Sequence, residues 1–179
     1  AFVTDYMRLY VLNKFGGFYM DTDVEVLKSF TPLLDSRCVL GMEEKEYVAT
    51  SFMAFEKGHP LVKQFLDLYK NLTFLDEKGQ IITGTNVAKL TNMLIEKGLV
   101  QENHYQELED GIKIYPKEFF SPYDYINCYY NITENSYCVH HFAVSWMSKK
   151  EQLKKVIKKK IVRFLGPEKM NKLRERINR

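Results

Sequence analysis

The chain has 179 residues, of which 45% are hydrophobic, 14% aromatic and 27% charged. These proportions exclude a disordered, collagen-like or coiled-coil protein, and no apolar run reaches the roughly 18 residues of a membrane-spanning helix. The net charge of +3 conceals an asymmetry, because residues 149–179 carry 13 Lys/Arg and 3 Asp/Glu whereas residues 1–148 carry 13 and 20. The acidic body argues against nucleic acid as a partner, and the basic tail favours an anionic one.

The opening residues predict a helix that ends at a glycine pair. Thr4 is a candidate N-cap, and Asp5 lies in the first turn, where the helix dipole favours an acid. Gly16-Gly17 supplies the end of the helix. Asp5 and Arg8 are three residues apart, so they share one face of the helix. The alternative interpretation is an exposed ion pair that contributes only ~0.3–0.5 kcal/mol.

A short buried strand is predicted at 18–20, and it leads into Asp21-Thr22-Asp23. In an extended chain, residues two apart point to the same face, so the carboxylates of Asp21 and Asp23 would emerge together. Two close carboxylates repel each other unless a cation neutralises them, and a hard divalent ion with oxygen ligands does so. Such an ion can also clamp a diphosphate, because it bridges carboxylate and phosphate oxygens.

Downstream, the hydrophobic pattern alternates between strands and helices, which predicts an α/β domain. The acidic residues 43–46 are expected to form a loop between two of the strands. The predicted elements are an extended stretch at 24–27, strands at 38–42 and 51–55, helices from Pro60 and after Thr85, short strands and loops within 112–130, and a strand entering a loop over 137–146.

Two of the four histidines, His140 and His141, are adjacent. On a strand their rings point to opposite faces, so one can ligate a metal while the other is structural. Neutral imidazole is an acceptable ligand for manganese beside carboxylates. The residue pattern leaves open which of the two takes that role. His59, in a Gly-His-Pro sequence, predicts a turn or a helix cap instead.

The basic tail, residues 149–179, predicts an amphipathic helix, ended by Gly166-Pro167, and a second basic helix after it. Lysines fill one face of the first helix, which suits an anionic membrane surface. The alternative is a solvated helix that docks on the domain by its apolar stripe. We therefore expect two parts, residues 1–148 and residues 149–179, and a cytoplasmic location with peripheral attachment to the inner face of the membrane. The apolar stripe consists of Leu153, Val156, Ile157, Ile161, Phe164 and Leu165.

Most of residues 1–148 resembles one family. The densest part is the run TDYMRLYVLNKFGGFYMDTDVEVLKSFTPLL at 4–34, which is similar to the glycosyltransferases with a DXD sugar-binding motif. That family includes capsular and lipopolysaccharide sugar transferases and relatives of the yeast initiating α-mannosyltransferase, and it is more distantly similar to the glucosylating clostridial toxins. The resemblance returns, in order, in EKGHP (56–60), TGTNV (83–87), IYPKEFFSPYDY (114–125) and HHFAVSW (140–146).

The resemblance implies a GT-A-type, Rossmann-like α/β domain for residues 1–148. It implies metal-dependent transfer of a hexosyl group from a UDP- or GDP-sugar to a glycan or lipid-linked acceptor, with retention of configuration, in the biosynthesis of cell-surface polysaccharide such as capsule. Relatives carry a strand segment before the Asp-x-x-Arg helix. We expect that segment to be missing here, which would leave the domain N-terminally incomplete.

The resemblance also assigns roles at the donor site. Asp5 and Arg8 match the acid and the arginine that hold the sugar hydroxyls and the diphosphate. Tyr19 matches the aromatic residue that contacts the nucleotide sugar. Asp21 matches the first acid of the motif, which holds ribose and sugar hydroxyls, in some members through the metal. With Asp23, these residues form the expected catalytic set.

A metal site and a closing loop complete the expected machinery. Asp23 matches the direct ligand of Mn²⁺ or Mg²⁺, with Asp21 beside it, and His141 matches the C-terminal ligand of the same ion. Ser145 and Trp146 match a flexible loop that touches the departing diphosphate. From its composition alone, the single tryptophan would equally suit core packing.

Two other functions fit parts of the pattern. A phosphatase of the haloacid dehalogenase type also carries Asp-x-Asp after an apolar strand, with the first Asp as nucleophile. That pattern has Thr or Val two positions after the second Asp, where this chain has Glu25. A second alternative is a sugar-nucleotide-binding or membrane-docking module without catalytic activity.

Overall fold

The computed structural model describes residues 2–44, 46–70, 85–124 and 129–142, together with positions 156, 160–162, 164, 166 and 169. The described residues form short strands, four α-helices and two short 3-10 helices, Thr31–Leu33 and Glu109–Gly111, besides helical positions in the tail. The helices are α1 (Phe2–Phe15), α2 (Pro60–Asp67), α3 (Asn86–Glu96) and α4 (Lys117–Phe120). The strands are β1 (Gly17–Met20), β2 (Val24–Val26), β3 (Cys38–Glu44), β4 (Tyr47–Val48), β5 (Phe52–Phe55), β6 (Gln106–Leu108), β7 (Ile112–Tyr115), β8 (Tyr123–Asp124), β9 (Tyr129–Tyr130) and β10 (Cys138–His140).

A six-stranded mixed sheet forms the centre of the described structure. Its strands lie in the order β1-β5-β3-β7-β6, and β4 pairs with β3. The pair β3–β7 is parallel, whereas the other pairs are antiparallel. Two small antiparallel pairs, β2–β10 and β8–β9, lie outside this sheet. The mixed α/β architecture predicted from the sequence is confirmed.

The two faces of the sheet carry separate apolar clusters. Leu40 and Met42 of β3 belong to the cluster beneath the helices, whereas Val39 belongs to the other cluster. This division follows from the alternation of side chains along a strand. Leu9 and Leu12 of α1 are buried in the first cluster. The same helix that anchors this core therefore also carries Asp5 and Arg8.

The end of α1 is set by Gly16, as the glycine pair predicted. Gly16 has φ +71°, which is left-handed backbone that favours glycine. A Cβ at this position would lie only 2.7 Å from the backbone nitrogen of Lys57. The predicted N-cap is wrong, because α1 already includes Phe2 and Thr4 lies inside it. The helix starts earlier than its polar residues indicate.

The helix starts predicted at Pro60 and Thr85 are confirmed. The His59 ring accepts a hydrogen bond from the Leu61 amide at 3.2 Å, so His59 caps α2 as expected. Thr85 caps α3 by accepting from the Ala88 amide, also at 3.2 Å. The acidic loop expected at 43–46 is wrong in its extent, because Glu43 and Glu44 continue β3.

The described positions of the tail are 156, 160–162, 164, 166 and 169, and all of them except 166 are helical. Val162 is 3% exposed, whereas Phe164 is 88% exposed, so the described apolar side chains do not share one buried stripe. Leu153, Ile157 and Leu165 lie outside the described residues. Among the helices that are described, none has the length and apolarity to cross a membrane. The division into residues 1–148 and 149–179 stays a prediction.

Candidate active site

The Asp-Thr-Asp segment forms a tight turn directly after β1. The Val24 amide donates to the Asp21 carbonyl at 3.0 Å, and the Asp21 amide donates to the Ser51 carbonyl at 2.9 Å. The expectation of an extended chain is therefore wrong at this point. The turn nevertheless brings ligand atoms of Asp21 and Asp23 within 4.8 Å of each other. Both acids lie just after the C-terminal end of β1.

Arg8 connects α1 to this turn. Its guanidinium lies 3.2 Å from Asp5 Oδ1 and 3.3 Å from Asp21 Oδ1, and Nη1 donates to the Thr50 carbonyl at 2.7 Å. The same group lies 4.7 Å from the centre of the Tyr19 ring, in cation–π contact. Arg8 is only 8% exposed. The predicted Asp5–Arg8 pair is thus part of a buried network.

Tyr19 fixes the orientation of the first acid. Its hydroxyl donates to Asp21 Oδ1 at 2.8 Å, so this oxygen has both a phenol and a guanidinium as partners. Burial, and then the hydrogen bond to Asp21, raise the pKa of Tyr19 above its usual value, which keeps the phenol a proton donor. Burial also raises the pKa of Asp5, and the Arg8 charge opposes that shift.

His140 lies with the two acids. Strand β10 pairs with β2 so that His140 is opposite Val24, and His140 Nε2 lies 3.1 Å from Asp23 Oδ1. Ligand atoms of Asp21, Asp23 and His140 all lie within 4.8 Å of one another. Burial lowers the pKa of His140, against the pull of the two carboxylates, which favours the neutral imidazole that binds metals.

This donor set fits a divalent ion. Two ligands on one ion with bonds of about 2.1 Å are at most about 4.2 Å apart, so small side-chain movements would close the three groups on one ion. Two carboxylates and an imidazole offer oxygen and nitrogen donors, which suit a divalent ion better than a soft metal such as Cu(I). His140 Nδ1 is buried and has no hydrogen-bond partner in the described part of the chain.

His141 points elsewhere. Its Nε2 lies 2.9 Å from Glu25 Oε2, and its Nδ1 lies 2.9 Å from the Tyr130 hydroxyl. The structure therefore brings His140 to Asp21 and Asp23 and does not bring the His141 ring to them. A metal role for His141, which the family resemblance implied, stays a prediction that this arrangement does not favour.

Ser145 and Trp146 lie outside the described residues. The carbonyl of Thr50, the carboxylate of Glu25 and the phenol of Tyr130 were not foreseen. The buried polar pair Thr50-Ser51 lies between β4 and β5, and this pair was the sequence signal for the Thr50 carbonyl. Glu25 and Tyr130 gave no local signal, because both meet His141 only through the pairing of distant segments.

Comparison with known proteins agrees with the geometry. Residues 1–40 match the family described as "Glycosyltransferase sugar-binding region containing DXD motif". The human lactosylceramide 4-alpha-galactosyltransferase is 32% identical over 85 residues, which are 45% of this chain and 23% of that protein. The mouse enzyme is 30% identical over 125 residues, which are 70% of this chain and 33% of that protein.

A fungal relative is also similar. Inositol phosphoceramide mannosyltransferase 3 of Schizosaccharomyces pombe is 33% identical over 60 residues, which are 34% of this chain and 17% of that protein. The chain thus spans a third or less of the length of these relatives. No solved structure matches the chain. These similarities support a glycosyltransferase with a DXD motif.

Proposed function

We propose that this chain carries the nucleotide-sugar site of a metal-dependent glycosyltransferase with a GT-A-type fold. The observation that carries the proposal is the link through Arg8, which joins Asp5 on α1 to Asp21 beside the Asp23–His140 pair. A buried arginine between two acids, Asp5 and Asp21, provides charge for a diphosphate and acceptors for sugar hydroxyls in one place. The family match over residues 1–40 covers all of these residues except His140.

The proposed transferred group is a hexosyl group, and the proposed acceptor is a glycolipid. The named relatives support this choice, because their names describe galactosyl transfer to lactosylceramide and mannosyl transfer to inositol phosphoceramide. Both acceptors are sphingolipids with a polar head. Retention of configuration rests on the family resemblance alone.

The metal would be held by Asp21, Asp23 and His140, and when bound it would neutralise the diphosphate that leaves the sugar. The chain's own residues prepare the site for that departure. Asp21 is held in one orientation by Arg8 and Tyr19, so its carboxylate does not need to reorganise. Asp5, which is held by Arg8, is placed to accept hydroxyl hydrogens of the sugar.

Arg8 has remaining capacity for phosphate. Its Nε is buried, and in the described part of the chain it has no hydrogen-bond partner. A buried donor without a partner is unfavourable by about 1–3 kcal/mol, and a phosphate oxygen that accepted from it would remove that cost. Developing negative charge on the leaving diphosphate would strengthen the contact, which is how a fixed cation favours the transition state.

The phosphatase alternative requires Asp21 to attack phosphorus. The contacts of Asp21 Oδ1 with Arg8 and Tyr19 lower the electron density of that oxygen and occupy it, which does not favour a nucleophile. A binding module without catalysis would share the site and would differ only in turnover. Rates on the two classes of substrate therefore separate the three functions.

The test is substrate turnover with manganese. We expect slow hydrolysis of one UDP- or GDP-sugar and no hydrolysis of p-nitrophenyl phosphate. Asp23→Asn should lower the rate at least 100-fold, whereas Asp35→Asn, at an exposed acid outside the site, should leave it unchanged. Activity on p-nitrophenyl phosphate alone would contradict the proposal. Manganese-dependent binding without turnover would identify the inactive module.

A further inference from the structure

We propose that His141 is a positioning residue, which Glu25 and Tyr130 clamp so that the neighbouring His140 faces Asp23. The inference rests on the proposed function for its consequence, since it concerns the metal site proposed above. Its geometric basis is separate, because none of the three clamp residues belongs to the Asp21, Asp23 and His140 set.

Both ring nitrogens of His141 are engaged by the protein. Glu25 Oε2 lies 2.9 Å from Nε2, and the Tyr130 hydroxyl lies 2.9 Å from Nδ1. A carboxylate accepts, so Nε2 carries the proton, and Nδ1 then accepts from the phenol. Because both nitrogens are occupied by hydrogen bonds, the ring connects Glu25 of β2 to Tyr130 of β9.

The link matters because the strand pair that carries His140 is short. β2 and β10 pair over only three residues each, with His140 opposite Val24, and the His141 amide then donates to the Asp23 carbonyl at 3.0 Å. A two-stranded ladder of this length is marginal by itself. Side chains must therefore help to set its register.

Adjacent histidines make that register ambiguous. A slip of one residue would exchange the faces of His140 and His141, and it would offer the acids the same chemical group. Burial of Cys138 in the apolar cluster that contains Val39 favours the observed arrangement, and the neighbours of the two rings distinguish it further. Glu25 and Tyr130 do so, because together they bind a ring on the face opposite to the metal set.

The chain after His141 supports the same arrangement. Phe142 has φ +49°, which is left-handed backbone, so the chain turns away from the direction of β10 two residues after that strand ends. Its ring then lies 4.0 Å from the His140 ring, centre to centre, and 5.6 Å from the ring of Tyr123. Tyr123 in turn lies 4.7 Å from Tyr130. The His140 ring is thus covered on one side while the clamp fixes the backbone beside it.

The first experiment uses the full chain loaded with Mn²⁺ and reads directly bound nitrogen by pulsed electron paramagnetic resonance. We expect the imidazole signal to persist in His141→Ala and to vanish in His140→Ala. Mn²⁺ affinity should fall about 10–100-fold in His141→Ala, as for other residues that orient a metal ligand, and His141→Gln should restore part of it. Loss of the nitrogen signal in His141→Ala with retention in His140→Ala would overturn the inference.

The second experiment needs no metal. Amide hydrogen exchange in metal-free Tyr130→Phe and Glu25→Ala should be at least 10-fold faster at Leu27 and His141, whose amides donate to the Tyr137 and Asp23 carbonyls. The β3–β7 amides should be unchanged. Unchanged exchange at Leu27 and His141 would overturn the clamp. Failure of the wild-type chain to bind Mn²⁺, with the expected exchange result, would contradict the proposed function and leave the clamp standing.

Discussion

The guanidinium of Arg8 lies 3.3 Å from the carboxylate of Asp21, which joins the middle of a helix to the end of a strand. The two side chains are 8% and 26% exposed. Because water screens such a pair poorly, its loss leaves a partly buried charge without its partner. This contact therefore contributes to stability as well as to the proposed chemistry.

We expect Arg8→Met to lower the free energy of unfolding by about 3 kcal/mol, at the lower end for a broken buried pair because Asp21 is partly exposed. Urea denaturation measures the loss. Arg37→Met is the matched control, since its 2.7 Å pair with Glu56 joins side chains that are 51% and 40% exposed. That change should cost much less, because solvent screens an exposed ion pair. Equal losses of unfolding free energy in the two variants would show that the Arg8 contacts stabilise the fold no more than an exposed ion pair does.

Tyr19→Phe should weaken binding of the nucleotide sugar with manganese about 5–10-fold. The change removes the hydroxyl that donates to Asp21 Oδ1. Loss of one such hydrogen bond costs about 1 kcal/mol, which corresponds to this change in affinity. Isothermal titration measures the affinity. Tyr10→Phe, at a 39% exposed tyrosine of α1, should bind as the wild type does. An unchanged affinity for Tyr19→Phe would mean that Asp21 is oriented by Arg8 alone.

The His59 cap predicts acid sensitivity. Burial lowers the pKa of His59, although the Asp110 carbonyl and the Glu56 charge oppose the shift. The unfolded chain takes up a proton near pH 6.5, whereas the folded chain resists protonation to lower pH. Stability should therefore fall as the pH drops below about 6.5 and level off once the folded form is protonated too.

Melting temperatures between pH 5 and 7.5 test this prediction with His59→Asn. Asparagine is a good N-cap and does not titrate, so the variant should show a flatter profile over this range. The remaining slope belongs to other groups, including His140, whose pKa burial also lowers. Parallel profiles for the wild type and the variant would rule out His59 as the source.

Gly16→Ala should destabilise the fold more than Gly98→Ala. Both glycines have positive φ, of +71° and +96°. A Cβ at Gly16 would lie 2.7 Å from the Lys57 nitrogen, whereas nothing lies within 4 Å at Gly98. We expect about 1 kcal/mol for Gly98→Ala and about 2–3 kcal/mol for Gly16→Ala. Thermal unfolding of the two variants compares them, and equal shifts would show that the backbone near Lys57 yields.

Local signals predicted much of the fold. Pro60, Thr85 and Gly16 mark helix limits through interactions with near neighbours, so a single sequence is enough to find them. Glu43 and Glu44 were misplaced because β3 continues beyond its apolar part and pairs with β4 in a tight hairpin, in which Glu44 lies opposite Tyr47. Thr4 was misplaced because apolar Phe2 continues the helix in the N-terminal direction.

The sequence placed the acids of the candidate site together, whereas the structure brings His140 rather than His141 to them. Asp5 and Arg8 share a helix face by spacing, and Asp21 and Asp23 are close in sequence. The choice between His140 and His141 depends on the pairing of β10 with β2, whose residues are far apart along the chain. The Arg8–Thr50 contact depends in the same way on tertiary packing.

Gly16 joins the helix that bears Asp5 and Arg8 to the strand that leads to Asp21. The angle between α1 and β1 at Gly16 therefore sets the distance between Asp5 and Arg8 on the helix and Asp21 after the strand. Substitutions at Gly16 should therefore change catalysis through the backbone, and directed evolution could tune the pocket there without replacing Asp5, Arg8 or Asp21.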